Sequence, residues 1–161
     1  MNGAERREFV RKHRTCVFGY PRKEHGPSMS VVHYVMDGDD ILVSSMLGRA
    51  KPKSVERDGR VSVCVLDENW PPTYITVYGN AVVEKEGGDD LLIAICELMA
   101  EQPMPEAERE KLRKLAEEEQ RCVIRIKPES TFETPPRHVY EPGDVDTLTH
   151  WLGNSLPWDH D

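Results

Sequence analysis

Strict alternation of apolar and polar positions identifies one segment of this chain as a β-strand with a single buried face. In residues 60–66, Val61, Val63 and Val65 alternate with smaller or more polar side chains, which is the period of two that a half-buried strand requires. Other runs rich in β-branched and aromatic residues predict further strands. These runs lie at 15–20, 28–36, 41–45, 73–85 and 121–127, and a seventh strand is expected at 131–140.

Turn signals show how these strands connect. The pair Asp37-Gly38 between the second and third runs predicts a tight hairpin. Gly79, inside the long strand at 73–85, indicates a β-bulge or a close backbone approach. Consecutive strands joined by tight turns pair antiparallel, and closing six or seven of them into a barrel removes exposed edges. The predicted fold is mainly β, an antiparallel barrel of six or seven strands with peripheral helices.

Helical periodicity is confined to short segments, and the largest of these is polar on most sides, which is typical of a surface helix. Helices are predicted at 4–14, 89–101 and 105–119, with a loop and a short helix at 46–59 that ends at Gly59. Residues 1–140 are assigned to the barrel domain. Residues 141–161 are expected to form a C-terminal tail, with Trp151, Trp158 and one or two helical turns.

Composition and charge exclude several functions. A formal net charge of −8 over 161 residues disfavours a nucleic-acid partner, because such a field repels phosphates. The apolar runs are too short to span a bilayer, and the charged N-terminus lacks the apolar stretch of a signal peptide. Four widely separated cysteines form no CxxC pair, and they show no metal-ligand spacing with the histidines. We therefore expect a cytoplasmic protein without a metal site.

Candidate chemistry is concentrated where the third strand gives way to the short helix. Ser44 and Ser45 end the strand, and Arg49, Lys51 and Lys53 follow at alternate positions around the helix start. Cations oppose the helix dipole at that end, whereas a phosphate bound there would be favoured by both the dipole and the cations. The alternative is a solvated charged loop, which is the commoner setting for such a cluster.

Several motifs occur together within residues 26–86: the strand after GP, the DG hairpin, RAK before a short helix, ERDGRVSV, and YGNA at the end of the long strand. The combination resembles the pyridoxamine-phosphate-oxidase-like FMN-binding split barrels, in particular the branch that uses the deazaflavin coenzyme F-420. The resemblance extends over residues 9–86. It implies a homodimer with two cofactor sites at the subunit interface.

The resemblance also implies which residues bind the cofactor. The phosphate would be held by the segment Arg49-Ala50-Lys51, with Lys53 and the hydroxyls of Ser44 or Ser45. The second strand would lie along the tricyclic ring through Ser30, Val31, Val32 and His33. For His33 the alternative is a core or interface histidine with a satisfied hydrogen bond.

Three aromatic residues are candidates for the substrate pocket. Tyr74 and Tyr78 alternate on one face of the long strand, and Trp70 lies in the preceding loop, where an amphipathic ring can stack on a ligand. Packing at the rim is the alternative for Trp70. No side chain is assigned a catalytic role, since the cofactor itself performs the chemistry.

The expected function is that of an oxidoreductase that transfers hydride between its cofactor and a small organic substrate. The run RAKPKSVERD suits the F-420 branch, and FMN is the alternative cofactor. The Arg-x-Val-x-Leu-Lys signature and the arginine-rich C-terminal segment of true pyridoxamine phosphate oxidases are both missing, which argues against vitamin B6 oxidation. The alternatives are a non-catalytic carrier or sensor that binds the same cofactor, and a dimeric interaction protein with an empty site.

Overall fold

The computed structural model describes residues 1–69, 72–134 and 153–161, which form four helices and seven strands. The helices are α1 (Gly3–Lys12), α2 (Ala50–Arg57), α3 (Gly88–Ala100) and α4 (Glu106–Glu118). The strands are β1 (Thr15–Tyr20), β2 (Ser28–Asp37), β3 (Asp40–Met46), β4 (Arg60–Asp67), β5 (Thr73–Glu84), β6 (Arg121–Glu133) and β7 (Asn154–Pro157).

Six of these strands close into an antiparallel barrel. Their order is β3-β2-β1-β4-β5-β6, and β3 also pairs with β6, which completes the ring. The seventh strand, β7, lies outside the ring and pairs with the last residues of β6. The predicted fold class, a mainly β antiparallel barrel with peripheral helices, is confirmed.

The barrel interior is filled by the inward-facing residues of each strand. Val61, Val63 and Val65 are all buried, as their alternation predicts, and Phe18 and Tyr34 are the largest apolar side chains fully enclosed with them. Helices α1 and α2 add Val10 and Val55 to the same core. Because the inner face is fully used for packing, the outer face and the connections are left to form binding surfaces.

Two glycines have the roles that their positions predict. Gly38 has a φ of +61° at the first of the two turn residues between β2 and β3, as a type II′ hairpin requires. At Gly79 the register between β5 and β6 shifts, and a Cβ would lie 2.4 Å from the carbonyl oxygen of Lys127. The bulge and the close approach predicted at Gly79 are both present.

Other expectations are corrected. Helix α2 ends at Arg57 with an extended Asp58 as its C-cap, so Gly59 does not terminate it. A Cβ at Gly59 would instead lie 2.4 Å from Asn80 Oδ1, because the chain passes close to β5 there.

The C-terminal part of the chain also differs from expectation. Residues 131–133 continue β6 and do not begin a seventh strand. The seventh strand is β7, in a region where helical turns are expected from sequence. Residues 135–140 and Trp151 lie outside the described residues.

A buried arginine connects α1 to β6 and β7. Arg6 is fully buried, and its guanidinium donates to Thr131 Oγ1 at 3.0 Å and to Glu133 Oε1 at 3.1 Å. It also donates to Asn154 of β7. We call this group of four residues the Arg6 cluster. It attaches the C-terminal strand to the first helix.

Helices α3 and α4 lie on the outside of the barrel. Leu91 and Ile95 of α3 pack against Val123 of β6, whereas α4 buries only Ala116, as predicted for a surface helix. No helix within the described ranges is long and apolar enough to cross a membrane.

Candidate functional site

A cavity of about 310 Å³ lies where β2, the β3–α2 connection, α3 and the start of β6 meet. Its volume is at the lower end of the range of roughly 300–1,000 Å³ that is typical of small-molecule sites. Seven of the ten residues predicted to bind the cofactor line it. They are Val31, Val32, His33, Ser44, Ser45, Arg49 and Lys51.

The pleat of β2 makes one wall of this cavity. Val31 and His33 project from the outer face of the barrel and are exposed, whereas Val32 and Tyr34 project toward the inside. Val31 has 76% of its surface accessible, an unusual level for a valine in the middle of a ten-residue strand. With Met29, which is exposed on the same face, Val31 forms an apolar strip on the outside of β2 beside the cavity.

The start of α2 provides the positive charge. Arg49 is the N-cap of this helix, no side chain caps its first N–H groups, and the first turn contains no acidic residue. Burial and the neighbouring charge of Arg49 lower the pKa of Lys51. The Lys51 ammonium lies 5.8 Å from the centre of the Phe18 ring. Neither cation forms an ion pair with another residue in the described part of the chain, so an anion in the cavity would relieve their repulsion.

Two serines place hydroxyls next to these cations. Ser44 and Ser45 are consecutive on β3, so their side chains leave opposite faces of the strand, yet both reach the cavity. Ser45 is buried, and Ser44 accepts a hydrogen bond of 3.3 Å from Arg121 Nη1. Hydroxyls beside an arginine and a lysine form the donor set that binds phosphate.

Residues that local sequence patterns do not reveal complete the cavity. Arg121, at the start of β6, contributes a third cation through the pairing of Met46 with Arg121. The wall formed by α3 is mostly apolar and consists of Leu92, Ile95, Cys96 and Met99. These residues lie more than 40 positions after Arg49, so only the pairing of β3 with β6 and the packing of α3 could identify them.

Three predicted cofactor residues lie outside this cavity. The Ser30 hydroxyl is buried without a hydrogen-bond partner in the described part of the chain. Ala50 lines a neighbouring pocket with Arg22, Lys23 and His25. Lys53 is exposed on α2, and neither of these cavities includes it.

The predicted substrate residues are separated from one another. Tyr78 lines a mostly apolar cavity of about 470 Å³ on the outer face of the barrel. Tyr74 is half-buried on the same strand, and its hydroxyl donates a hydrogen bond of 3.2 Å to Thr134 Oγ1. Trp70 lies outside the described residues.

Among the described residues no group of three or more His, Cys, Asp or Glu side chains could hold a metal ion. The donor set around Arg49 and Lys51 is instead suited to an anion, and the apolar walls are suited to a planar ring. The residues present therefore fit a phosphate-bearing flavin or deazaflavin.

Comparison with known proteins extends this picture. Residues 3–134 match the family described as pyridoxamine 5'-phosphate oxidase, and no curated protein matches the chain. A conserved hypothetical protein from Mycobacterium tuberculosis has a similar structure, with a TM-score of 0.71 and 19% identity over 81% of this chain and 82% of that one.

Two further solved structures share the fold. An F-420 reductase aligns with a TM-score of 0.61 and 15% identity, over 77% of this chain and 93% of its own. A FAD-binding protein from Mesorhizobium loti aligns with a TM-score of 0.59 and 14% identity, over 81% and 90%. The family match spans most of the chain and confirms the resemblance found in the sequence. The chain belongs to the pyridoxamine 5'-phosphate oxidase family of flavin-binding barrels.

Proposed function

We propose that this protein is an oxidoreductase that transfers hydride between bound coenzyme F-420 and a small organic substrate, with FMN as the alternative cofactor. The observation that carries the proposal is the cavity in which Arg49, Lys51 and two serine hydroxyls adjoin the exposed strip of β2. Membership of a flavin-binding family and the shared fold of an F-420 reductase support it.

The residues of this chain bind and orient the cofactor. Arg49 and Lys51 hold the phosphate, and the strip at Val31 supports the ring. The α3 side chains Ile95 and Met99 exclude water from its edge. When bound, the flavin or deazaflavin supplies the hydride-transfer chemistry from its central ring. The protein contributes orientation and a dry environment.

A second copy of the chain completes the site in this proposal. The cavity is at the lower end of the volume range for small-molecule sites, and Met29 and Val31 beside it are 70% and 76% exposed. Side chains this apolar and this exposed, next to one another on a strand, are typical of an interface. We therefore place the homodimer contact along the outer face of β2, next to the cavity.

The substrate lies in a trough that adjoins this strip. Strand pairing aligns Met29, Gly19, Ser62 and Tyr78 across four neighbouring strands, so two small residues form a floor between two large side chains. Met29 and Val31 are two residues apart on one face of β2, so in this proposal the trough lies beside the ring. The Tyr78 hydroxyl or solvent then supplies the proton.

Cofactor titration tests the binding assignment. We expect a large fall in affinity for F-420, or for FMN, when Arg49→Ala and Lys51→Ala are combined, because each charge-assisted bond to phosphate contributes about 1.5–3 kcal/mol. That range corresponds to at least about a hundredfold for the pair. The exposed cations of α4 provide the matched control, Lys111→Ala with Lys114→Ala. Equal affinity in the two double variants would refute the phosphate assignment.

Anaerobic turnover tests the reaction. The cofactor is reduced on the protein and mixed with enones or quinones, and its absorbance is followed. Oxidation of the reduced cofactor that depends on the acceptor would support an oxidoreductase. Tight cofactor binding without turnover would instead indicate a carrier or sensor.

A variant of the trough tests the substrate position. A Cβ at Gly19 would meet Ser62 at 3.6 Å, an ordinary contact, so Gly19→Val is expected to fold while narrowing the trough. We expect a lower kcat/KM for bulky acceptors with an unchanged cofactor Kd. An unchanged kcat/KM would place the substrate elsewhere.

A further inference from the structure

The cation that local sequence patterns do not reveal, Arg121, is held in a specific arrangement at the cavity rim. Arg121 Nε donates to Glu119 Oε2 at 2.6 Å, and Arg121 Nη1 donates to Ser44 Oγ at 3.3 Å. The two charged side chains are 20% and 27% exposed. The guanidinium is therefore held at two of its three nitrogens. Its Nη2 group has no hydrogen-bond partner in the described part of the chain and is available to a ligand in this cavity or in the adjacent pocket beside α4, since Arg121 lines both.

The backbone keeps this pair at the rim. Gln120, between the two residues, has a φ of +50°, a left-handed conformation that is uncommon for a residue with a side chain. Its carbonyl accepts a hydrogen bond of 3.0 Å from the N–H of Leu47, in the connection that leads to Arg49. The end of α4 is thus attached to the segment that carries the other cations.

The charges in and next to the cavity determine how the ion pair of Arg121 and Glu119 affects a bound anion. Arg49, Lys51 and Arg121 contribute three positive charges, and Glu119 contributes one negative charge bound to the third cation. Coulomb energy is proportional to the ligand charge, so the three cations attract a doubly charged phosphate twice as strongly as a singly charged one, and the Glu119 carboxylate opposes that attraction in the same proportion.

We propose that Arg121 is a third phosphate-binding residue and that Glu119 shifts the selectivity of the site toward a singly charged phosphate diester and away from a doubly charged phosphate monoester. The inference rests on the proposed function, because it concerns the same cavity. The shift favours F-420, whose phosphate is a diester, relative to FMN, whose phosphate is a monoester with close to two charges at neutral pH. Glu119 acts on the ligand through Arg121 and through its own charge.

Substitution of Glu119 gives a gain of affinity that a merely structural role would not produce. In Glu119→Gln we expect the affinity for inorganic phosphate, which is mostly doubly charged at pH 8, to rise about tenfold, and that for dimethyl phosphate about threefold. The gain for the doubly charged anion is about the square of the gain for the singly charged one, because doubling the charge of the ligand doubles its interaction energy with Glu119. Chemical shifts of arginine Nε–H groups, followed by NMR during titration, report both affinities without any cofactor.

Two further variants keep the test decisive. Glu118→Gln removes a neighbouring exposed carboxylate and the same net charge, and we expect no change in either affinity. Arg121→Gln is expected to weaken both anions about tenfold or more, because it removes a charge-assisted bond. Equal gains for the two anions in Glu119→Gln, or equal effects of the Glu118 and Glu119 substitutions, would overturn the inference.

Riboflavin and FMN separate this inference from the proposed function. Riboflavin lacks the phosphate, so its affinity is expected to be the same in Glu119→Gln and the unaltered protein, while that for FMN rises. If neither flavin nor deazaflavin binds but the anion selectivity changes as described, the proposed function fails and the charge selection stands. If the cofactors bind and the substitution does not alter the ratio of FMN to riboflavin affinity, the charge selection fails alone.

Discussion

Lys51 is expected to determine how cofactor binding responds to pH. Burial and the charge of Arg49 lower its pKa from the ordinary value of 10.5, so Lys51 loses its proton at a lower pH than an exposed lysine. Between these two pKa values the folded protein binds fewer protons than the unfolded chain, so stability rises with pH in that window. The charged form of Lys51 therefore costs stability at neutral pH, and a phosphate bound beside it would offset this cost.

The affinity for a phosphate-bearing cofactor is expected to fall as pH rises through the lowered pKa of Lys51. We would measure the affinities for FMN and riboflavin by fluorescence quenching between about pH 7.5 and 10. The ratio of the two affinities isolates the contribution of the phosphate. In Lys51→Arg the ratio is expected to stay level, because a guanidinium remains protonated throughout. The same decline in both proteins would show that another group is responsible.

The four cysteines are expected to differ in reactivity for reasons of position. Burial raises the pKa of Cys16 to about 12 and raises that of Cys122, so their thiolates are scarce at neutral pH. Cys96 is only half-buried and lines the cavity. Iodoacetamide is therefore expected to modify Cys96 faster than Cys16, as measured by peptide mass spectrometry.

Bound cofactor is expected to protect Cys96 in the same experiment. The variant that combines Arg49→Ala with Lys51→Ala is the control, because it is expected to bind the cofactor weakly and its Cys96 labelling should not respond to added cofactor. Equal labelling of Cys96 with and without saturating cofactor in the unaltered protein would contradict the placement of the ligand.

At the scale of elements, the Arg6 cluster is expected to be the main support of β7. Arg6→Met removes the guanidinium from the buried Glu133 carboxylate, which keeps the N-terminal ammonium of Met1 at 2.6 Å, so we expect a loss of about 1.5–3 kcal/mol of unfolding free energy. The control on the same helix is Arg11→Met. It breaks an exposed ion pair with Asp39, so we expect a loss below about 1 kcal/mol. Urea denaturation measures both, and similar losses would show that the cluster does not support the fold.

The elements that sequence predicts well are those whose own residues specify them. β4 follows from its alternating valines, and the β2–β3 hairpin follows from a glycine that can adopt a positive φ. β7 has no such pattern, since its four residues are mostly exposed and it exists because β6 extends far enough to pair with it. The sequence alone predicts the wrong role for Gly59, because a close approach to β5 and a helix end both favour glycine.

The residues of the candidate site also fall into two groups, those that local sequence predicts and those that only the folded barrel brings together. Ser44, Arg49 and Lys51 are close in sequence, so their charges and hydroxyls could be recognised together. Arg121 and the α3 wall reach the cavity through tertiary contacts alone, because β6 pairs with β3 across a separation of about 75 residues. Local sequence pattern therefore predicts the side of the cavity that carries Arg49, Lys51 and the serine hydroxyls, and the other walls follow only from the closed barrel.

For the whole molecule, the exposed strip on β2 predicts a dimer whose formation and cofactor binding are coupled. We expect sedimentation equilibrium to give twice the chain mass of 18.4 kDa. Val31→Asp places a charge on the most exposed apolar residue of the strip and is expected to yield monomers with at least about tenfold weaker cofactor binding, since a desolvated charge costs more than 1.4 kcal/mol.

Leu115→Asp, on the exposed surface of α4, adds the same charge to an apolar side chain outside the strip and is expected to leave both properties unchanged. A protein that is monomeric at every concentration yet binds cofactor tightly would refute a shared site. A Val31→Asp monomer with unaltered affinity would refute it equally, because it would show that one barrel binds the ring without its partner. The joint loss of dimer and ligand, absent from the α4 variant, is the one result that a site completed by two chains requires.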